Sequence, residues 1–158
     1  MIVRRGALLL CSLAFAACFG SSAELTDAGN GIPQVSVEFP DKAEPGSVQR
    51  ATLTVMNPGP GDMPVMDVTF VRVGTERPLV ELLAGRANDS IVSVSPEPLT
   101  FDGILYRFEG PAEGETEKVT FEVRIPNTTG VVANSVTVAD PQDPQRARGD
   151  RLATTVRR

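Results

Sequence analysis

The chain of 158 residues is 41% hydrophobic and 22% charged, enough apolar material for one folded domain and too little length for two. It has no His and no Trp, and its 20 acidic residues outnumber 15 basic ones for a net charge of -5. Without His, His-based catalytic triads and His-bearing zinc sites are excluded, and the acidic balance excludes a nucleic-acid binder that works by displacing phosphate counterions.

Arg4 and Arg5 precede an apolar run from Gly6 to Ala17 that closes on small residues, the grammar of a secretory signal. The run is far shorter than the roughly 20 apolar residues a membrane-spanning helix needs. Residues 1–17 are therefore expected to be a signal peptide and the protein to be extracytoplasmic. Phe15-Ala16-Ala17-Cys18 resembles the lipobox of bacterial lipoproteins, with Phe15 where that family favours Leu. The resemblance implies cleavage before Cys18, its lipidation, and membrane lipid as the first partner, on the periplasmic or cell-surface side. Ordinary cleavage at Ala14-Phe15-Ala16 or Ser21-Ser22-Ala23 is the competing outcome and would release a secreted domain. Cys11 and Cys18 both precede the folded part, so no internal disulfide is expected.

Residues 18–33 are mostly small and polar and keep neither a helical nor a strand period, which predicts a flexible tether. At about 3.3 Å per residue it reaches roughly 50 Å. From Gln34 onward the chain alternates. Val35, Val37 and Phe39 point one way, then Ala51, Leu53 and Val55, then Met66, Val68 and Phe70 within 65–73. Further alternating segments follow at 91–95, 104–108, 119–125 and 131–138, and 152–156 is the last expected strand. Leu79 to Ala84 is the one helical candidate and is too short to stand as a helix. Gly and Pro fall mostly between these segments, as in Pro40 to Gly46 and Asn57-Pro58-Gly59-Pro60-Gly61-Asp62. Strands at this spacing without intervening helices predict an all-β fold, a single antiparallel sandwich of about seven to eight strands over residues 34–158.

Ala51 to Asp62 resembles the second strand and turn of an Ig-like repeat domain found in bacterial surface proteins. Glu113 to Pro126 is similar to a later strand of that family, and Val131 to Val138 with the following Asp/Pro loop looks like its close. The resemblance spans roughly 34–157 and implies an Ig-like sandwich of the cell-adhesion-related type with no assigned chemistry. Gly149-Asp150-Arg151 stands where the family often has a pair of Asn, and the stretch 74–90 is long for it.

Candidate chemistry is sparse. Asp140, Asp143 and Asp150 put three carboxylates into one expected loop, but Pro and Arg intrude and no bidentate Glu follows, so neither calcium nor any other metal is expected there. Arg148-Gly149-Asp150 matches the integrin-recognition tripeptide, a match that chance supplies readily, and the expectation is that Gly149 provides a turn between flanking charges. Lys42 and Lys118, with Asn57 and Asn134, supply the residue types of a Lys–Asn isopeptide bond. That chemistry needs a buried Lys beside a protonated carboxyl, whereas Glu115 to Lys118 reads as a solvated strand start. Ser-based catalysis lacks both the Gly-x-Ser-x-Gly elbow and a base. The expectation is a non-enzymatic structural or binding module without cofactor, whose candidate contacts are the loops carrying Asn57, Asp62, Asp140, Asp143, Arg148, Gly149 and Asp150. Its partner would be an envelope protein, a cell-wall polymer or a host surface. The alternative is a soluble, secreted adhesin-like domain using the same loops.

Overall fold

The computed structural model describes residues 31–81 and 89–158. The expected signal peptide, Cys18 and all but the last three residues of the expected tether lie outside the described residues. The strands in chain order are β1 (Gln34–Glu38), β2 (Lys42–Ala43), β3 (Val48–Met56), β4 (Val65–Arg72), β5 (Ile91–Ser95), β6 (Thr100–Phe101), β7 (Leu105–Glu109), β8 (Thr116–Arg124), β9 (Gly130–Asp140) and β10 (Asp143–Val156). Every alternating segment of the sequence is a strand, and the two-residue strands β2 and β6 are additions to them.

Period-2 alternation does what it requires. In β3, Ala51, Leu53 and Val55 are buried while Thr52, Thr54 and Met56 are half-buried on the other face. The strands form two layers, ordered β1-β3-β8-β5 and β2-β10-β9-β4-β7-β6. In immunoglobulin lettering these are positions A-B-E-D and, for β10-β9-β4, G-F-C. The chain departs from that plan once, visiting the D position with β5 before it returns to pair β7 with β4. The long stretch after β4 is the connection that changes sheets. All strand pairs are antiparallel except β2 with β10, which run parallel at Lys42–Thr155 and Ala43–Val156.

The inner faces meet in one core. Phe70 and Phe121 lie edge to face with ring centres 5.2 Å apart, and Tyr106 and Phe108 pack on Phe121 at 5.6 and 6.2 Å. Leu53, Val55, Val68, Val136, Val138 and Leu152 fill the space around them. Leu79 and Val80 also enter this core, from an irregular segment; residues 82–84 of the helical candidate lie outside the described residues. They are held by Asn134, whose Oδ1 accepts the amide N–H of both residues at 2.8 Å and whose Nδ2 donates to the Val80 carbonyl at 2.8 Å. A buried Asn thus supplies the backbone partners a strand neighbour would otherwise give.

Candidate functional site

The loop end of the sandwich gathers the connections 57–64, 110–115 and 141–142 with the start of β1. Its local structure follows from its composition. Gly59 and Gly61 take left-handed backbone conformations with φ of 83° and 85°, which lets the chain fold back beside Asn57. The Asn57 amide donates to Gly61 O at 2.9 Å and to Pro111 O at 3.1 Å, and its Oδ1 accepts from Gly59 N at 3.1 Å. Asn57 N–H bonds Glu115 O, and Gly114 N–H bonds Asn57 O, so the first two loops are stitched together. Across the same gap Glu113 Oε2 accepts from Gly61 N and Asp62 Oδ1 accepts from Glu113 N, each at 3.0 Å.

Arg146 joins the third loop and the segment before β1 to this group. Its Nε donates to Gly31 O at 2.6 Å, Nη1 to Asp140 Oδ2 at 3.2 Å and Nη2 to Asn57 Oδ1 at 2.8 Å. The two charged side chains are 13% and 3% exposed, so the ion pair is largely withdrawn from water and all three guanidinium nitrogens are used. Asp140 Oδ1 meanwhile accepts from Gln142 N at 2.9 Å and shapes the hairpin turn. Gly31 and Pro33 are buried, and the end of the expected tether is docked onto the sandwich.

These facts sort the candidate contact residues. Asn57 and Asp140 are buried at 0% and 3% exposure, and their polar atoms serve the loop end itself. Asp62 and Asp143 are exposed, Asp143 with one oxygen accepting from Gln145 N at 3.1 Å. Together with exposed Glu109, Glu113, Glu115 and Glu117 they make this end acidic. Arg148, Gly149 and Asp150 are not on a hairpin loop. They lie inside β10, paired with Val138, Thr137 and Val136 of β9, because the strand begins at Asp143 and only Pro141 and Gln142 turn. Asp150 Oδ2 accepts the Val37 N–H at 2.7 Å, which ties the edge of one sheet to the edge of the other. Gly149 sits flat against β9, where a Cβ would stand 2.9 Å from Ser135 Oγ. Lys118 is exposed, and Asn57 and Asn134 are committed to backbone partners.

Arg146 and Glu113 were missed as site residues. A signal for Arg146 existed: Arg146, Arg148, Asp150 and Leu152 share a period-2 face, so a strand running back through Arg146 would turn a cation inward and demand a partner. Pro144 and the run of charges concealed it, since such residues favour loops. Among the described residues, no three acidic or thiol side chains converge as a metal site.

No family model matches the chain, and no curated protein matches it in sequence. Solved structures of similar shape include BslA, a bacterial hydrophobin, with TM-score 0.48 and 12% identity over 79% of this chain and 99% of that chain. The self-complemented major subunit MyfA of Yersinia enterocolitica Myf fimbriae has TM-score 0.48 and 15% identity, covering 78% and 99%. The CARDB domain of a Pyrococcus furiosus protein, solved with di-metal ions, has TM-score 0.47 and 14% identity, covering 87% and 100%. At these scores and identities the likeness assigns no role to this chain.

Proposed function

We propose that this protein is an exported, lipid-anchored, non-enzymatic β-sandwich that serves as a structural or binding module at a bacterial envelope. The observation that carries the reading is the mounting of Gly31. Its carbonyl is fixed by the same Arg146 that fixes Asn57 and Asp140, so a tether running from Cys18 meets the sandwich at a rigid point on the loop end. In this arrangement the acidic loop end faces the membrane. Asp62, Glu113, Glu115 and Asp143 then repel anionic head groups over a Debye length of about 8 Å, and the tether holds the domain off the surface. The opposite end and the sheet edges are left for a partner, another envelope protein, a cell-wall polymer or a host surface. This moves the contact away from the loops that the sequence suggests. The soluble adhesin-like alternative has less support, because Asp150 of the tripeptide is engaged by Val37 and Arg151 amides.

Intact mass of the mature protein from its native cells tests the anchor. A chain beginning at Cys18 with added acyl mass supports the reading. A chain beginning at Ala17 or Glu24 without lipid overturns it and favours the secreted domain.

A further inference from the structure

The two sides of the sandwich are finished differently. On one side β1 lies against β10. There Asp150 accepts the Val37 N–H, Thr155 N donates to Asp41 O at 2.9 Å, and β2 pairs with the end of β10. On the other side β5 ends the four-stranded sheet and β6 ends the six-stranded one. The outer edge of β5 has no strand partner among the described residues.

Stable sheets guard such edges with charge, proline, bulges or covering chain, and of these β5 carries one register shift between Ile91 and Ser93. Residues 91–95 read Ile-Val-Ser-Val-Ser, without a charge or a proline. Exposed apolar side chains mark the strands that end the two sheets here: Val92 on β5, and Leu99, Phe101 and Ile104 on or beside β6, are 46%, 51%, 40% and 49% exposed. These are four of the seven large apolar side chains exposed among the described residues, and they gather at one side. Phe101 is pre-positioned, its ring stacked on Tyr106 at 4.2 Å. A strand without a partner on one side offers its outward N–H and C=O groups as the template for adding another strand.

Charge around this side selects the occupant. Asp89 and Glu97 bracket β5, and Asp102 lies beyond Phe101, all three exposed. Arg107 nearby is neutralised by Asp67 through two bonds of 2.7 Å, and Glu122 of β8 accepts from Ser93 Oγ. Among the described residues Arg124, at the end of β8 beside Ser90, is a cation adjoining the acidic rim. Antiparallel pairing of two β5 strands about Ser93 would set the Asp89 end of one copy beside the Glu97 end of the other, and like charges facing each other destabilise a strand pair. We propose that β5 with the strip Val92, Leu99 and Phe101 takes an extended segment of a different protein by strand addition, apolar at alternate positions and flanked by Lys or Arg. This deepens the binding-module reading by naming its surface and the chemistry of its partner.

The test uses the full chain and a short synthetic peptide of alternating Val and Thr with two Lys at each end, beside the same peptide with Glu ends. Titration calorimetry reads affinity, and amide NMR shifts locate the peptide. The Lys-ended peptide is expected to bind one to one, shifting residues 91–95, and the Glu-ended one to bind at least about tenfold more weakly. Val92→Lys and Leu99→Lys each should weaken binding by about tenfold or more, with Tm unchanged because both sites are exposed. Val131→Lys, on an exposed Val at the far end of β9, should leave binding as it was. Absence of binding, or binding indifferent to Val92→Lys, overturns the proposal. A dimer of the protein alone that Val92→Lys disperses also overturns it, by making a second copy the occupant. Each result is independent of the intact-mass measurement, so a failed peptide titration with an acylated Cys18 sinks this inference and leaves the anchored module standing.

Discussion

Arg146 is the residue on which the loop end turns. Replacing it with Gln leaves the Asp140 carboxylate buried at 3% exposure without its counter-charge, and truncating one partner of such a pair costs about 3–5 kcal/mol. Chemical denaturation of Arg146→Gln should find a loss of that order, and the double variant with Asp140→Asn should lose less than the two single losses added. Asn134→Ala strands the Leu79 and Val80 amides in the core, for an expected loss of about 2–3 kcal/mol by the same measurement. Gly110→Ala is tighter still in geometry. A Cβ there would stand 2.1 Å from the Met63 carbonyl oxygen, so the backbone must move, at about 1–3 kcal/mol. Only the role of Arg146 leaves a local signal, in the face it shares with Leu152; those of Asn134 and Gly110 leave none. An Asn within an alternating segment and a Gly between two segments are ordinary residues until the elements that meet them are known.

At the scale of elements, the aromatic core predicts its own hierarchy. Phe121, packed by Phe70, Tyr106 and Phe108, should cost about 3–5 kcal/mol when cut to Ala, and half-buried Phe39 should cost clearly less in the same denaturation series. The turn between β6 and β7 adds a pH dependence. Asp102 Oδ1 accepts the Leu105 and Ile104 N–H groups at 2.9 Å, and these bonds hold its carboxyl below the usual range. A depressed folded-state pKa contributes stability above the unfolded value of about 3.9 and loses it as pH falls through the folded value. Acid titration of Tm should therefore fall more gently below about pH 4 in Asp102→Asn than in the parent protein. An equal acid slope in the two would show that the turn bonds do not favour the ionised form. Strand positions were legible because alternation is a local property. β2 and β6 were not, since two residues carry no period. The first half of β10 was hidden because positions 146, 148 and 150, which continue the face of Leu152, are charged, a pattern that describes a loop unless a neighbouring element supplies partners.

For the whole molecule, the docking of residues 31–33 makes a sharp prediction about truncation. A chain starting at Gly31 keeps the Arg146 acceptor and should melt where the full chain does. A chain starting at Gln34 removes it and should melt about 3–8 °C lower by calorimetry, given the usual few degrees per kcal/mol at this size. Much of the pairing here is between distant parts of the sequence, β3 with β8 and β4 with β9 included, and the change of sheet between β4 and β5 adds another long closure. Refolding measured by stopped-flow fluorescence of Tyr106 should accordingly fall in the millisecond-to-second range of β-sandwiches.

By itself the sequence determined which segments are strands, which of their faces is apolar and that the fold is an all-β sandwich, because side-chain period and turn chemistry are short-range consequences of backbone geometry. Only the tertiary structure decided the rest. It set the visit to β5 before β7, the conversion of Arg148-Gly149-Asp150 from loop to strand, and the partners of Arg146 and Asn134. It also closed one side of the sandwich and, among the described residues, left β5 without a strand partner on the other. Each of these depends on which distant strand lies alongside, and a buried charge or a bare edge takes its meaning from the neighbour that is or is not there.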